Sequence, residues 1–242
     1  MEFDDKIKRL KEIIDGSDNI VFFGGAGVST ESGIPDFRST DGLYNQQYAY
    51  PPEEILSRSF FDRNPSEFFR FYRDKLICRD ARPNAAHLKL AELERKGKLS
   101  AVVTQNIDGL HTAAGSRNVF ELHGSILRNR CMKCGKSYPL EAIEEAPDVP
   151  RCSCGGIIKP DVVLYEEPLS EPVIYGAINA IKAADLLIIG GTSLAVWPAA
   201  GFIDYFQGDD LVIINRDETP ADRKATLVIH GKIGETLAAI DV

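Results

Sequence analysis

The chain has 242 residues, of which 44% are hydrophobic and 26% charged, and its formal net charge is −8. This acidic balance argues against bulk attraction to nucleic acid or to an anionic membrane. The charged N-terminus has no signal-peptide core, and no apolar run is long enough to span a bilayer. We therefore expect a cytoplasmic protein with reduced thiols. The length fits a single large domain or one main domain with a small insert.

Short apolar strands alternate with amphipathic helices along the chain. This alternation predicts an α/β fold with a parallel, doubly wound sheet. The residues 40–64 have no clear period and predict a long loop with helical turns. Strands are predicted at 20–23, 100–104, 119–123, 162–165, 185–189, 211–214 and 227–229, and helices at 4–15, 65–78, 84–96, 171–184, 198–207 and 232–240.

A glycine-rich turn, Gly25 to Ser29, directly follows the first strand. Glycines there let backbone amides approach a pyrophosphate, although such a turn can also be plain topology. Thr30 stands where the usual dinucleotide fingerprint has its third glycine, and no acidic residue ends a second strand about 20 residues on. The pattern favours an unusual NAD site over a standard dehydrogenase. The next segment, Glu31 to Arg38, is typical of an ordered ligand loop.

Polar residues follow the second strand, in the segment Thr104 to His111. They should emerge at the carboxyl edge of the sheet, where open α/β sheets bind ligands. Asn106 and Asp108 have the chemistry to hydrogen-bond a carboxamide. Capping of the next helix is the equally weighted alternative.

The third predicted strand ends in His123 and Gly124. Histidine, with a reference pKa of about 6.5, can act as a general base at neutral pH. A structural histidine is the alternative for His123. It is the better interpretation for the other three, His87, His111 and His230.

Four cysteines form two close pairs, Cys131-x2-Cys134 and Cys152-x-Cys154. Four thiolates in this pattern favour tetrahedral zinc over free thiols, and a full ligand set predicts a structural metal. The fifth cysteine, Cys78, is interpreted as a core or boundary residue.

Two further segments follow strands near the end of the chain. They are Gly190 to Ser193 and Asn215. Both should lie at the carboxyl edge of the sheet, where Ser193 could reach a phosphate or ribose, and Asn215 a ribose or adenine. Ordinary turn chemistry is the alternative.

Taken together, these segments resemble the sirtuin family of NAD-dependent protein deacylases. The match runs in order from about residue 20 to residue 230. No single piece is specific, but the combined pattern is. It comprises Gly25 to Ser29, Gly33 to Arg38, Thr104 to Asp108, His123-Gly124, the four cysteines and Gly191 to Ser193.

The resemblance implies a Rossmann-like NAD-binding domain with a small zinc-ribbon and helical module. The main domain would comprise residues 1–39, 79–125 and 158–242. The helical insert would be 40–78 and the zinc-ribbon insert 126–157, with one structural zinc per chain. NAD and an acyl-lysine protein or peptide would bind between the two parts.

The implied reaction transfers the acyl group of lysine to ADP-ribose and releases nicotinamide. His123 would be the catalytic base, and Asn106 and Asp108 would assist. Val163 and Tyr165 would pair with the substrate peptide by strand addition. NAD would contact Gly25, Ala26, Gly27, Ser29, Phe37, Arg38, Gln105, Asn106, Ile107, Asp108, His123, Gly191, Thr192, Ser193 and Asn215.

The chain departs from the family pattern at two places. Tyr165-Glu166-Glu167 stands where Phe-Gly-Glu is common, and the charge of Glu166 leads to the hypothesis of basic residues flanking the substrate lysine. Sirtuins selective for acidic acyl groups carry Tyr-x-x-Arg, and the counterpart here is Tyr72 with Lys75. Lysine lacks the bidentate fork that recognises a carboxylate, so we predict acetyl over succinyl.

Several other functions were weighed. An ADP-ribosyltransferase on the same scaffold would share the NAD site and differ only in its acceptor. A non-catalytic NAD-sensing or protein-binding module would not need His123, Asn106 and Asp108. A serine hydrolase using Ser29 or Ser193 is disfavoured because neither serine lies in a Gly-x-Ser-x-Gly elbow.

Overall fold

A six-stranded parallel sheet forms the centre of the protein. The computed structural model describes residues 2–36, 42 and 50–241. The strand order in the sheet is β3-β2-β1-β7-β8-β9, and every neighbouring pair is parallel. The strands are β1 (Ile20–Gly24), β2 (Leu99–Thr104), β3 (Val119–Glu121), β7 (Leu186–Gly190), β8 (Asp210–Asn215) and β9 (Leu227–His230). The predicted α/β, doubly wound fold is confirmed.

Helices cover both faces of this sheet. Alternate strand residues point to opposite faces, so Phe22 and Ile188 pack on one side and Phe23 and Ile189 on the other. All residues of β1 and β7 are buried, as expected for central strands covered on both faces. The helices are α1 (Phe3–Gly16), α2 (Pro52–Ile55), α3 (Arg58–Arg63), α4 (Pro65–Lys75), α5 (Ala85–Arg95), α6 (Leu110–Ala113), α7 (Glu141–Glu144), α8 (Glu171–Ala183) and α9 (Ile233–Ala238).

A second, three-stranded antiparallel sheet lies outside the main one. It has the order β5-β4-β6 and consists of β4 (Gly124–Cys131), β5 (Ser137–Tyr138) and β6 (Ile158–Val162). Its apolar residues share one core with the helices α2 to α4. Phe61, Phe68 and Phe69 contact one another edge to face in this core. We call residues 50–78 and 124–162 the small module. The domain boundaries predicted above remain predictions.

The structure corrects several predicted elements. The third strand ends at Glu121, because the chain turns at 122–123 to enter the second sheet. The strand predicted at 162–165 ends at Val162, where its pairing with β4 ends, and the turn follows only at 166. The segment 198–207 is a 3-10 helix, Ala199–Tyr205, rather than an α-helix, and a central glycine lowers its α-helical propensity. Within the described part of 40–64, the predicted helical turns are present as the short helices α2 and α3.

Candidate active site

A cleft opens where the strand order reverses, between the carboxyl ends of β1 and β7. Open α/β sheets bind ligands at this switch point. The cleft has a volume of about 420 Å³. Phe37 and Arg38 lie outside the described residues. The other residues predicted for NAD or substrate all line it: Gly25, Ala26, Gly27, Ser29, Gln105, Asn106, Ile107, Asp108, His123, Val163, Tyr165, Gly191, Thr192, Ser193 and Asn215.

The glycine turn after β1 packs directly on the turn after β7. The amide of Gly27 donates to the carbonyl of Gly191, 2.8 Å away. A Cβ on Gly27 would lie 2.8 Å from the Cα of Gly191, so only glycine fits this contact. The chain continues as two 3-10 turns, Ala26–Val28 and Thr30–Ser32, rather than as a long helix. This cradle without side chains fits a pyrophosphate.

A buried polar network joins the turns after β1 and β2. The amide nitrogen of Asn106 donates to the hydroxyl of Ser29 at 3.1 Å, and that hydroxyl donates to Asp108 Oδ2 at 2.6 Å. The other oxygen, Oδ1, accepts from the amide of Leu110 at 2.8 Å, at the start of α6. Helix capping therefore occupies Oδ1 of Asp108, and the bonds of Ser29 orient Oδ2 of Asp108 and the side-chain amide of Asn106.

His123 lies in the cleft with a defined tautomer. Its Nδ1 is 3.0 Å from the carbonyl oxygen of Gln105. Because a carbonyl only accepts, Nδ1 carries the proton and Nε2 keeps its lone pair. Burial lowers the pKa of His123, and the hydrogen bond to Gln105 partly opposes this. The imidazole is therefore neutral at pH 7 and can accept a proton.

The predicted substrate segment is bonded directly to this histidine. The amide of Val163 donates to the backbone carbonyl of His123 at 2.9 Å. Gly124 makes this approach possible, since it has φ +76° and its Cβ would overlap the carbonyl of Asp161. The base and the extended segment 163–165 therefore lie at the same end of the β4–β6 pair.

Residues after β7 and β8 form the other end of the cleft. Gln105 Nε2 donates to Thr192 Oγ1 at 3.1 Å, which joins the turns after β2 and β7. Asn215 Nδ2 donates to the carbonyl of Asp217 at 2.8 Å. A hydrogen bond within the turn therefore engages the side-chain nitrogen of Asn215.

The four predicted zinc ligands converge in the second sheet. Their sulfur atoms all lie within 4.8 Å of one another. The Sγ atoms of Cys131 and Cys154 are 3.4 Å apart and those of Cys134 and Cys152 are 3.6 Å apart, far beyond a disulfide bond. A tetrahedral zinc with Zn–S of about 2.3 Å requires sulfurs about 3.8 Å apart. The cluster therefore fits a structural zinc ion, which confirms that prediction.

The remaining histidines lie apart from the cleft lining. His87 and His111 are buried, and their ring centroids are 4.6 Å apart. Burial lowers the pKa of His87 to about 4 and that of His111 to about 3. Both are structural, neutral residues on the buried faces of α5 and α6, as predicted.

Sequence reasoning missed Trp197 and the distant partners of two residues in the predicted ligand loop, Glu31 and Asp36. Trp197 lines the cleft with 72% of its surface exposed. As the single tryptophan, following the Thr192-Ser193 turn, it could have been noticed. Glu31 accepts from the amide of Gly234 at 2.8 Å, and Asp36 pairs with Arg216 at 3.3 Å. No sequence spacing relates such distant partners.

The site and fold together define a class: α/β proteins that bind a dinucleotide at the switch point and carry a metal-binding ribbon. The Sir2 family profile matches residues 25–198. An "NAD-dependent protein deacetylase" of Clostridium perfringens (strain 13 / Type A) is 62% identical over 241 residues, which cover 98% of this chain and 99% of that protein. The chain belongs to the Sir2 family, the sirtuins.

Solved structures of this family resemble the chain closely. A Sir2 complex with a p53 peptide and NAD+ has a TM-score of 0.86 and 40% identity, covering 96% of this chain and 95% of the other. A Sir2 variant with a deacetylated p53 peptide and 3'-O-acetyl-ADP-ribose has a TM-score of 0.90 and 39% identity, covering 97% and 96%. These likenesses extend over the cleft and the ribbon.

Proposed function

We propose that this chain is an NAD-dependent protein-lysine deacetylase. The observation that carries the proposal is the placement of His123. A neutral imidazole lines the same cleft as the glycine turn, and its own carbonyl bonds the segment Val163 to Tyr165. A base, a phosphate cradle and a peptide-binding strand therefore adjoin one another. The names of the relatives agree with this assignment.

Different turns around the cleft bind different parts of NAD. The glycine turn, Gly25 to Ser29, receives the phosphates, because its glycines leave room for them beside the backbone. The segment Gln105 to Asp108 surrounds the nicotinamide end, where the network of Ser29 orients Asn106 and Asp108. The adenosine half lies against Gly191 to Ser193 and Asn215. Phe37 and Arg38 belong to the same proposal, since they continue the ligand loop beyond Asp36.

The chemistry follows from the tautomer of His123. Bound NAD supplies an electrophilic ribose carbon from which nicotinamide departs as the acyl oxygen of the lysine attacks. Nε2 of His123 then accepts the proton of a ribose hydroxyl, because Nδ1 is fixed by Gln105. With one water consumed, the products are free lysine, nicotinamide and O-acyl-ADP-ribose. No metal takes part in this scheme, and the zinc stabilises the ribbon.

A nicotinamide-release assay with an acetyl-lysine peptide tests this function. The wild type should release nicotinamide only with the acetylated peptide and should form O-acetyl-ADP-ribose, identified by mass. His123→Ala should lower kcat by about 10²- to 10⁴-fold, the range of general base catalysis. NAD consumption without loss of acetyl groups, with ADP-ribose attached to protein, would instead identify an ADP-ribosyltransferase.

The acyl pocket favours neutral acyl groups. Lys75 lines the cleft, whereas Tyr72 is fully buried in the aromatic core and does not line it. The two side chains therefore do not present the paired hydroxyl and cation that would recognise a carboxylate. We expect acetyl-lysine peptide to give a higher kcat/KM than succinyl-lysine peptide of the same sequence. Equal or reversed values would contradict this preference.

We further propose that the enzyme acts in the cytoplasm on acyl-lysine proteins, without nucleic acid. The net charge of −8 supports the absence of nucleic acid, because like charges repel. Within the described residues, no helix has the length and apolarity needed to cross a membrane. Fractionation of cells that produce the protein, with and without nuclease, tests its location.

A further inference from the structure

The segment after β6 ends in a tight turn over residues 164–167. The amide of Glu167 donates to the carbonyl of Leu164 at 3.0 Å, which closes the turn. Glu166 occupies the third position with φ +75°, in the left-handed region that favours glycine. A glutamate here is strained, so its side chain must contribute something that glycine cannot.

The side chain of Glu166 bonds to a residue 107 positions away. Its Oε2 accepts from the backbone amide of Ser59 at 2.8 Å, and its Oε1 accepts from the hydroxyl of Ser59 at 2.9 Å. The amide of Ser59 lies in the first turn of α3 and has no partner within that helix. Both carboxylate oxygens are therefore engaged by the small module.

These bonds extend a backbone contact between the same two segments. The amide of Tyr165 donates to the carbonyl of Leu56 at 3.0 Å, and the amide of Arg58 donates to the carbonyl of Tyr165 at 2.9 Å. The guanidinium of Arg58 pairs with Glu167 at 3.1 Å. The end of the substrate segment is thus attached to the start of α3 by main chain and side chains together.

We propose that Glu166 is a positioning residue for the substrate peptide. By bonding Ser59, it keeps the turn closed and fixes the segment Val163 to Tyr165 beside His123, where the proposed function places the peptide. This inference rests on the proposed function, because it assigns the peptide to that segment. It replaces the hypothesis that the charge of Glu166 contacts basic residues of the substrate.

Variants of the two partners test the contact. Glu166→Ala should raise the KM for an acetyl-lysine peptide by roughly tenfold, the size expected for charge-assisted hydrogen bonds, and change kcat by less than about twofold. Ser59→Ala should raise KM less, and the double variant should be no worse than Glu166→Ala alone. Glu145→Ala removes an exposed glutamate that does not line the cleft, so it is the matched control and should leave KM unchanged.

Hydrogen exchange separates this proposal from the proposed function. In Glu166→Ala, the amides of Ser59 and Tyr165 should exchange at least about tenfold faster, while the amides of β1 keep their protection. If the wild type shows no acetyl-dependent nicotinamide release, the proposed function fails, and exchange still decides whether Glu166 orders the turn. Unchanged exchange or unchanged KM overturns the proposal. So does a KM increase confined to peptides with basic flanking residues.

Discussion

The two sides of the cleft are built on different principles. On the main-sheet side, the turns after β1 and β7 meet through glycine backbones, with Gly27 against Gly191. On the small-module side, polar and charged side chains connect the turn 164–167 with residues 56–59. The first contact depends on the absence of side chains, whereas in the second, side chains reinforce two backbone hydrogen bonds.

This difference predicts how substitutions on each side of the cleft affect ligand binding. A close backbone contact in a packed region tolerates no added volume, since interiors are packed like organic crystals. Each partly exposed hydrogen bond or ion pair contributes only a small free energy, and salt weakens the ion pairs further. Substitutions on the main-sheet side should therefore abolish binding, whereas those on the small-module side should weaken it by degrees.

The largest effect is expected where a side chain is added to the glycine contact. Gly27→Val would place atoms within 2.8 Å of the Cα of Gly191 and fill the phosphate cradle. We expect kcat/KM to fall by at least about 10²-fold, with NAD binding lost in a calorimetric titration. Gly16→Ala is the control, because a Cβ there meets nothing within 4 Å. Unaltered NAD affinity of Gly27→Val would show that the contact is not the cradle.

Removal of the metal tests the small-module side as a whole. A chelator should release about one zinc per chain and lower the thermal midpoint, because metal binding contributes to the folding of such modules. Peptide affinity should fall more than NAD affinity. Cys134→Ser should behave likewise, and Cys78→Ser should not, since Cys78 lies outside the cluster. A metal-free protein with full stability and activity would contradict the assignment.

A smaller effect concerns the stability of the main-sheet side at acid pH. The folded protein lowers the pKa of His111 to about 3, so below about pH 6.5 the unfolded chain binds more protons. The contribution of this buried imidazole is complete above pH 6.5 and is lost as the pH falls toward 3. Denaturant titrations from pH 7 to pH 4 should show decreasing stability. His111→Phe should flatten that slope, and an identical slope would be the contrary result.

Much of the site was predictable because strand ends fix where loops emerge. Gly25 to Ser29, Gln105 to Asp108 and Gly191 to Ser193 each follow a buried strand, so a parallel sheet necessarily brings them to one edge. The spacing of the four cysteines in two close pairs likewise predicts that their thiolates converge on one metal ion. The contact of Glu166 with Ser59 was not predictable, because it joins distant segments through side-chain positions that no periodicity encodes.

The local conformation near the glycine turn was also beyond sequence reasoning. Two 3-10 turns follow β1, and their residues have no periodicity that distinguishes them from the start of an α-helix. The strand predicted to end at Tyr165 stops at Val162, because its ladder with β4 ends at Gly124, and Tyr165 bridges Ser57 instead. Tertiary contacts decided both outcomes.

The pairing of Gly124 with Val162 in the second sheet has a consequence for how this chain can vary in length. That pair sets His123 opposite Val163, so the spacing between base and substrate segment is a matter of strand register. An added residue between His123 and Ser125, where Gly124 and Ser125 pair with Val162 and Asp161, would shift one against the other and misalign them, even with every functional side chain retained. Residues added in the loop 145–149, beyond the paired strands, would leave the alignment intact. Insertions in the loop 145–149 should therefore leave turnover unchanged, whereas an insertion at the start of β4 should abolish it.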